Sequence, residues 1–222
     1  MSIGKDIFDQ QICYLKRKMN VVSLDQLLQD ITVKGKIQPK TVVITFDDGY
    51  KDNFEEAVPI LNKHKCHATF FLTAGYIGTS KEFIWDERKK TQFKKMDWDD
   101  VNKIIQMGLG IGSHTVNHTN LGECTYDEAS IEIKESKKII KEKTGLESIP
   151  FAFPFGKKND LKKEYFNLIK MAGYTCCCSA YGGQNSKNAS VFDFKRISIP
   201  TTNSFLYFKT YLQGFKRISS GL

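Results

Sequence analysis

An α/β domain of TIM-like barrel type is the fold this sequence predicts, on three observations. A β-branched apolar run, Thr41-Val42-Val43-Ile44-Thr45-Phe46, ends in the adjacent acids Asp47 and Asp48 and then Gly49. Strand and helix patterns alternate beyond it on spacings that imply a parallel sheet with right-handed crossovers. A histidine pair, His114 and His118, follows a second strand end as the acids follow the first, which is where barrels gather their chemistry. No repeat, low-complexity stretch or linker divides the 222 residues, so one domain over 1–222 is expected.

The apolar run is the organising strand. Pro39 and Gly49 flank it, and a continuous apolar stretch suits a strand covered on both faces. Successive strand residues point to opposite sides, so Asp47 and Asp48 diverge unless the turn at Gly49 re-aims them. Three readings stand at this point. Both acids bind a cation; one binds it while the other, kept ionised by that charge, acts as a base; or Asp48 simply caps a helix.

Composition narrows the classes. The hydrophobic content of 41% supports a full core and excludes a disordered chain. The net charge of +8 and pI near 9.1 allow anionic partners. Yet the basic residues interleave with acids, as in Lys134, Glu135, Lys137, Lys141, Glu142 and Lys143, the pattern of a solvated helix face. Nucleic acid is therefore not an expected partner. The densest basic patch, Arg88, Lys89, Lys90, Lys94 and Lys95, is a candidate peripheral contact with an anionic membrane surface. The six cysteines include the triplet Cys176-Cys177-Cys178 and form no CxxC pair, so they read as reduced packing residues of a reducing compartment. Met1 to Gln11 is polar and lacks the apolar region of a signal peptide. A cytoplasmic or membrane-peripheral location is the expectation, with the cell envelope the alternative if a leader lies outside this sequence. No window approaches a membrane span.

In chain order, Asp6 to Lys18 has helical spacing, and Val21-Val22 a short strand. Ser23 and Gln26 fit a capping box that opens a helix with Leu24, Leu27, Leu28 and Ile31 inward. Asn53 to His64 reads as a helix and Ala68 to Leu72 as a strand, followed by a long polar insertion over 73–95 that would build a binding wall. A capped helix over 97–107 leads to a strand at Gly110 to Ser113. Thr125 and Glu128 form a second capping box, for a helix to Thr144 stopped by Gly145. Strands at Ile149 to Phe153, Thr175 to Cys178 and Lys195 to Ile199 follow, with helices over 160–172 and 205–213.

His114 and His118 are half of the four histidines. Four residues apart on a helical turn, they share a face and can grip one metal through neutral imidazoles. Spacing alone is weak evidence; their place after a strand end is what raises it.

Three segments together carry a resemblance. Thr45-Phe46-Asp47-Asp48-Gly49, Ser113-His114-Thr115-Val116-Asn117-His118 and Phe153-Pro154-Phe155-Gly156 resemble, in order and spacing, the first three motifs of the polysaccharide deacetylases. That family is also called the NodB homology domain or carbohydrate esterase family four. Ala68-Thr69-Phe70-Phe71-Leu72 and Trp98 fit as well, so the resemblance runs over most of the chain from Val21. It implies an incomplete (β/α)7 barrel and a metal-dependent hydrolase that removes acetyl groups from an N-acetylated glycan or glycolipid. Carried over by position, Asp48, His114 and His118 become the ligands of a divalent metal, with zinc expected, and Asp47 the general base. The backbone N–H of Phe155 becomes an oxyanion donor, and Phe153, Pro154 and Phe155 line the substrate. The chemistry agrees, since a bound divalent ion lowers the pKa of its water from about 15.7 to roughly 7 and Asp47 beside it can take the proton.

The chain departs from the family pattern in two places. Ala152 stands where many members have an arginine that orients the base, and Arg196 is the candidate substitute, on its place in the barrel order. No histidine follows His118, so the late Leu-x-His motif that holds the usual general acid has no counterpart. His67 precedes a strand, the wrong end of a barrel, and reads with His64 as surface or packing. Two other functions compete with a glycan deacetylase: a carbohydrate-binding pseudoenzyme that keeps the metal without turnover, and an amide hydrolase for a small non-sugar substrate. The intact Asp47 argues against the first, and fold does not decide the second.

Overall fold

The computed structural model describes residues 3–89, 92–186, 189–201 and 204–219. Helix α1, Lys5–Lys18, buries Ile12 and Leu15, and its basic last turn suits the negative end of the helix dipole. Strand β1, Asn20–Val21, pairs in parallel with β2, Thr41–Val42. Between them lies α2, Leu24–Thr32, capped by the Ser23 side chain, which accepts from the Gln26 N–H. The expected capping box is half made, because the Gln26 side chain donates to Asp30 instead.

The organising run is not one strand. It divides into β2 and β3, Thr45–Phe46, with Val43 and Ile44 between them. Thr41–Val42 lie against β1, whereas Thr45–Phe46 lie against Thr69–Phe70 of β4, Thr69–Leu72. Its side chains are half-buried rather than covered on both faces. The apolar pattern specified an extended backbone; which neighbour each half would pair with depends on segments remote in sequence.

Five strands form the main sheet in the order β3, β4, β5, β6, β7, all parallel, with β5 at Gly110–Ser113, β6 at Phe151–Ala152 and β7 at Cys177–Cys178. The strand expected over 195–199 is reduced to a single parallel bridge between Phe194 and Cys178. Alternation along the strands sorts their side chains into two clusters. Phe71, Ala152, Cys176, Cys178 and Phe194 form a small cluster with Leu24, while Phe70, Leu72, Phe151 and Cys177 join the large core that packs beneath the helices. The small cluster is tight at Gly112, where a Cβ would come within 2.5 Å of the Phe71 ring. All six cysteines are free thiols.

A π-turn at Asn53–Ala57 runs into α3, Val58–Lys63. The segment expected to be a polar insertion is better ordered than that. It contains α4, Ile84–Lys89, and buries Phe83, Asp86 and Lys95. The Lys95 side chain is only 1% exposed, pairs with Glu82 at 3.2 Å, and lies 4.9 Å from the ring centres of both Tyr50 and Phe83. Lys95 is therefore no part of a surface basic patch; its hydrocarbon stem and charge are used inside. Arg88 and Lys94 are exposed, while Lys90 and the side chain of Lys89 lie outside the described residues.

The remaining helices are α5, Trp98–Gln106, α6, Tyr126–Thr144, α7, Lys163–Met171, and α8, Phe205–Ser219. The Thr125–Glu128 capping box is fully formed, and Gly145 ends α6 with φ +75°, a conformation glycine adopts without strain. Among the described residues no helix is long and apolar enough to cross a membrane.

Candidate active site

The ends of β3 and β5 meet in space. Asp47 and Asp48 follow β3, and the turn re-aims them because Asp48 has φ +76° and Gly49 φ +87°. His114 follows β5, but the helical turn expected to join it to His118 is absent. The connection is an irregular bend in which Thr115 has φ +65° and His118 φ +56°. The two imidazoles meet by backbone strain in a loop, not by helical periodicity.

Asp48, His114 and His118 form the group, among the described residues, whose ligating atoms all lie within 4.8 Å of one another. Asp48 Oδ1 is 3.2 Å from His118 Nε2 and 3.6 Å from His114 Nε2. His114 Nδ1 lies 2.8 Å from the Ala152 carbonyl, which can only accept, so Nδ1 carries the proton and Nε2 keeps its lone pair for the shared space. Burial pushes the His114 pKa down to about 4, against the opposing pull of Asp47, so the ring is neutral near pH 7. A carboxylate oxygen and two imidazole nitrogens fit a divalent cation with open positions left over.

Asp47 is held differently. Arg196 NH1 and NH2 donate to its two oxygens at 2.6 and 2.8 Å. The guanidinium is fixed in turn by the Ser179 carbonyl at 2.9 Å from Nε and by Thr45 Oγ1 at 3.2 Å from NH1, and it lies over the Phe71 ring at 5.2 Å. Burial alone would raise the Asp47 pKa; the charge of Arg196 and its hydrogen bonds oppose that and hold the carboxyl below its ordinary range. Asp47 stays ionised, with its side chain 32% exposed at the mouth of the site and Oδ2 3.9 Å from His114 Nε2.

An aromatic wall closes one side. The His118 ring packs edge-on against Phe83 at 5.4 Å, Trp85 at 4.9 Å and Phe155 at 4.9 Å. Trp85 is anchored by its Nε1–H on the Tyr50 hydroxyl, which donates to Asp86 at 2.6 Å. Burial, then the bond to Asp86, raises the Tyr50 pKa far above its usual value, so this hydroxyl is a poor proton donor. Of the motif expected to line a substrate, only Phe155 is available, at 46% exposed. Phe153 is 1% exposed, packed against Phe151 and Phe166, and Pro154 is buried beside it. Alternation at the strand end turns Phe153 into the helix-facing core, away from any ligand.

Sequence reasoning missed Trp85, Tyr50 and Glu132. Trp85 had a faint signal, as one of two tryptophans and the end of a short apolar run, Phe83-Ile84-Trp85, in a largely polar stretch. His64 bonds Asp9 at 2.9 Å on the surface, and His67 is exposed just before β4, so neither reaches the site.

A parallel sheet whose strand ends gather an acid–histidine–histidine group beside an arginine-held aspartate makes this an α/β-barrel protein with a candidate metal site. The sequence profile of the polysaccharide deacetylase family matches residues 34–177, and the chain belongs to that family. It is 27% identical over 186 residues to YxkH of Bacillus subtilis (strain 168), covering 84% of this chain and 61% of that one. It is 29% identical over 182 residues to the poly-beta-1,6-N-acetyl-D-glucosamine N-deacetylase of Staphylococcus aureus (strain MRSA252), covering 78% of this chain and 59% of that one. The chain thus spans about three-fifths of the length of these relatives. Among solved structures, the Streptococcus pyogenes deacetylase PplD in complex with acetate superposes with a TM-score of 0.80 at 23% identity, over 96% of this chain and 87% of that one. IcaB from Ammonifex degensii gives 0.77 at 20% identity, over 96% and 90%. At such identities these likenesses establish the fold, the (β/α)7-type barrel expected from the sequence.

Proposed function

We propose that this chain is a metal-dependent hydrolase that removes acetyl groups from an N-acetylated glycan, with Asp47 as its general base. The observation that carries this reading is the division of labour between neighbouring acids: Asp48 faces the two imidazole nitrogens of His114 and His118, while both oxygens of Asp47 are held by Arg196. Asp48, His114 and His118 would hold the ion, and zinc is the first to test for one oxygen and two nitrogen ligands. When bound, such an ion polarises the acetyl carbonyl and lowers the pKa of water.

The chain's own residues supply the rest. Asp47, ionised and oriented by Arg196, accepts the proton of the attacking water at a carboxylate oxygen as that water adds to the acetyl carbon. The Phe155 N–H is the proposed donor to the developing oxyanion, a contribution of about 3–4 kcal/mol in other hydrolases. The exposed Phe155 ring and Trp85 offer apolar faces to a sugar. Within these 222 residues no histidine follows His118, and Asp47 would also return its proton to the leaving amine as the C–N bond breaks. Arg196 suits that second task, because a carboxyl with a depressed pKa gives its proton up readily. The S. aureus relative acts, by its name, on poly-beta-1,6-N-acetyl-D-glucosamine, which makes that polymer the first substrate to try.

Acetate release from N-acetylglucosamine oligosaccharides and poly-N-acetylglucosamine tests the reading, with Asp47→Asn and a chelator as controls. Release lost in both controls is expected. Zinc held tightly with no release from any glycan or small acetamide would turn the assignment toward a carbohydrate-binding protein. Contact with an anionic membrane surface is proposed on the exposed Arg88 and Lys94 alone; no cosedimentation with anionic vesicles at low salt would remove it.

A further inference from the structure

The loop that carries His118 is strained and is gripped from two directions. Thr115 and His118 both have positive φ, a cost of about 1–3 kcal/mol each for side chains of this kind. On one side the turn after β4 takes the loop's carbonyls: the Ala74 N–H donates to Thr115 O at 2.9 Å and the Gly75 N–H to Val116 O at 2.9 Å. On the other side a single residue of α6 takes its donors. Glu132 Oε2 accepts from the Val116 N–H at 2.8 Å and the Asn117 N–H at 3.0 Å, and Oε1 accepts from Asn117 Nδ2 at 2.7 Å.

We propose that Glu132 is a positioning residue for the metal site: its carboxylate clamps the Val116–Asn117 backbone and so sets where His118 stands against His114 and Asp48. This rests on the metal reading given above. The energetics favour the role. Charge-assisted hydrogen bonds are roughly twice as strong as neutral ones, and three of them converge on the two residues between the strained positions. Because α6 also packs on β5, which His114 directly follows, both histidines are referred to one helix. Glu132 touches neither imidazole; it acts through the backbone, and nothing in its place on a mid-helix surface turn requires an acid for the helix itself.

The test uses the whole chain, with Glu132→Ala, Glu132→Gln and, as control, Glu128→Ala, which breaks the capping box of the same helix without touching the loop. Zinc affinity is measured by competition with a chromophoric chelator, and imidazole nitrogen NMR spectra are recorded on the metal-free proteins. Glu132→Ala should lose about 10- to 100-fold in zinc affinity, the usual effect of removing a group that orients ligands. Glu132→Gln should stay within about threefold of wild type, since its amide oxygen still accepts from both backbone N–H groups and Asn117 can turn its own amide to match. Glu128→Ala should lower the melting temperature and leave zinc affinity alone. In the metal-free Glu132→Ala protein the His114 and His118 signals should move while those of His64 and His67 stay put. Affinity within about threefold of wild type for Glu132→Ala, with unmoved His114 and His118 signals, overturns the clamp. If wild type binds no zinc, the metal reading fails on its own account, and the metal-free spectra alone decide for or against Glu132.

Discussion

Arg196 reaches across 149 residues of sequence to hold both oxygens of Asp47, at 2.6 and 2.8 Å. The pair links the two edges of the five-stranded sheet, since Asp47 follows β3 and Arg196 follows the bridge of Phe194 to β7. Ala152 offers no side chain to Asp47; its carbonyl instead accepts from His114 Nδ1 at 2.8 Å.

Removing Arg196 should separate catalysis from metal binding. Arg196→Lys keeps a charge but not the planar fork, so it is expected to lose about 10- to 100-fold in kcat, as misplacement of a reacting group costs. Zinc affinity should be unchanged. Arg196→Ala should in addition lower stability by about 2 kcal/mol, below the 3–5 of a fully buried pair because Asp47 is partly solvated. A kcat for Arg196→Lys equal to wild type would show that Asp47 needs no orientation.

The two acids should fail differently. Asp47→Asn should abolish acetate release and retain zinc; His114→Ala should lose zinc as well, since the ring supplies a ligand atom. Metal analysis after gel filtration, alongside an acetate assay, distinguishes them. Equal zinc loss in both would overturn the division between Asp47 and Asp48.

Gly75 should tolerate no side chain. A Cβ there would lie 2.8 Å from the Val116 carbonyl oxygen and 2.9 Å from Val116 Cγ1. Gly75→Ala must push the His118 loop outward, with a cost of about 1–3 kcal/mol in thermal unfolding and weaker zinc binding. Wild-type values for both would mean that the loop yields freely.

An alkaline limit to stability is expected from Lys51. Its hydrogen bond to the buried Asp100, at 2.5 Å, raises its pKa above the ordinary lysine value. A raised folded pKa means that the stabilisation is complete below the unfolded value of about 10.4 and is lost as pH rises through the folded one. The melting-temperature gap between wild type and Lys51→Met should therefore be constant from about pH 7 to 9 and shrink above about pH 11. A gap that instead widens with pH would contradict the sign.

Much of the site was legible because the sequence marks it locally. Adjacent Asp47 and Asp48 after a β-branched run, His114 and His118 after a glycine-rich strand, and the Thr125–Glu128 box are each written within a few residues. The misreadings share one cause, which is dependence on remote partners. Thr41 to Phe46 split into two strands because β1 and β4 each claim half of it. Phe153 looked like a ligand wall from its motif, yet the outward pleat at the end of β6 buries it against Phe166.

By itself the sequence determined the alternation of strands and helices, the helix caps and the residue types at the strand ends. Those follow from short-range physics, namely side-chain period, capping bonds and glycine's freedom at turns. Only the tertiary structure decided that Arg196 locks Asp47, that Trp85 walls His118, and that Glu132 grips the loop between the histidines. Each of these is a contact between side chains or backbone far apart along the chain, fixed by how the sheet curls and where the helices land upon it; local periodicity carries no record of either.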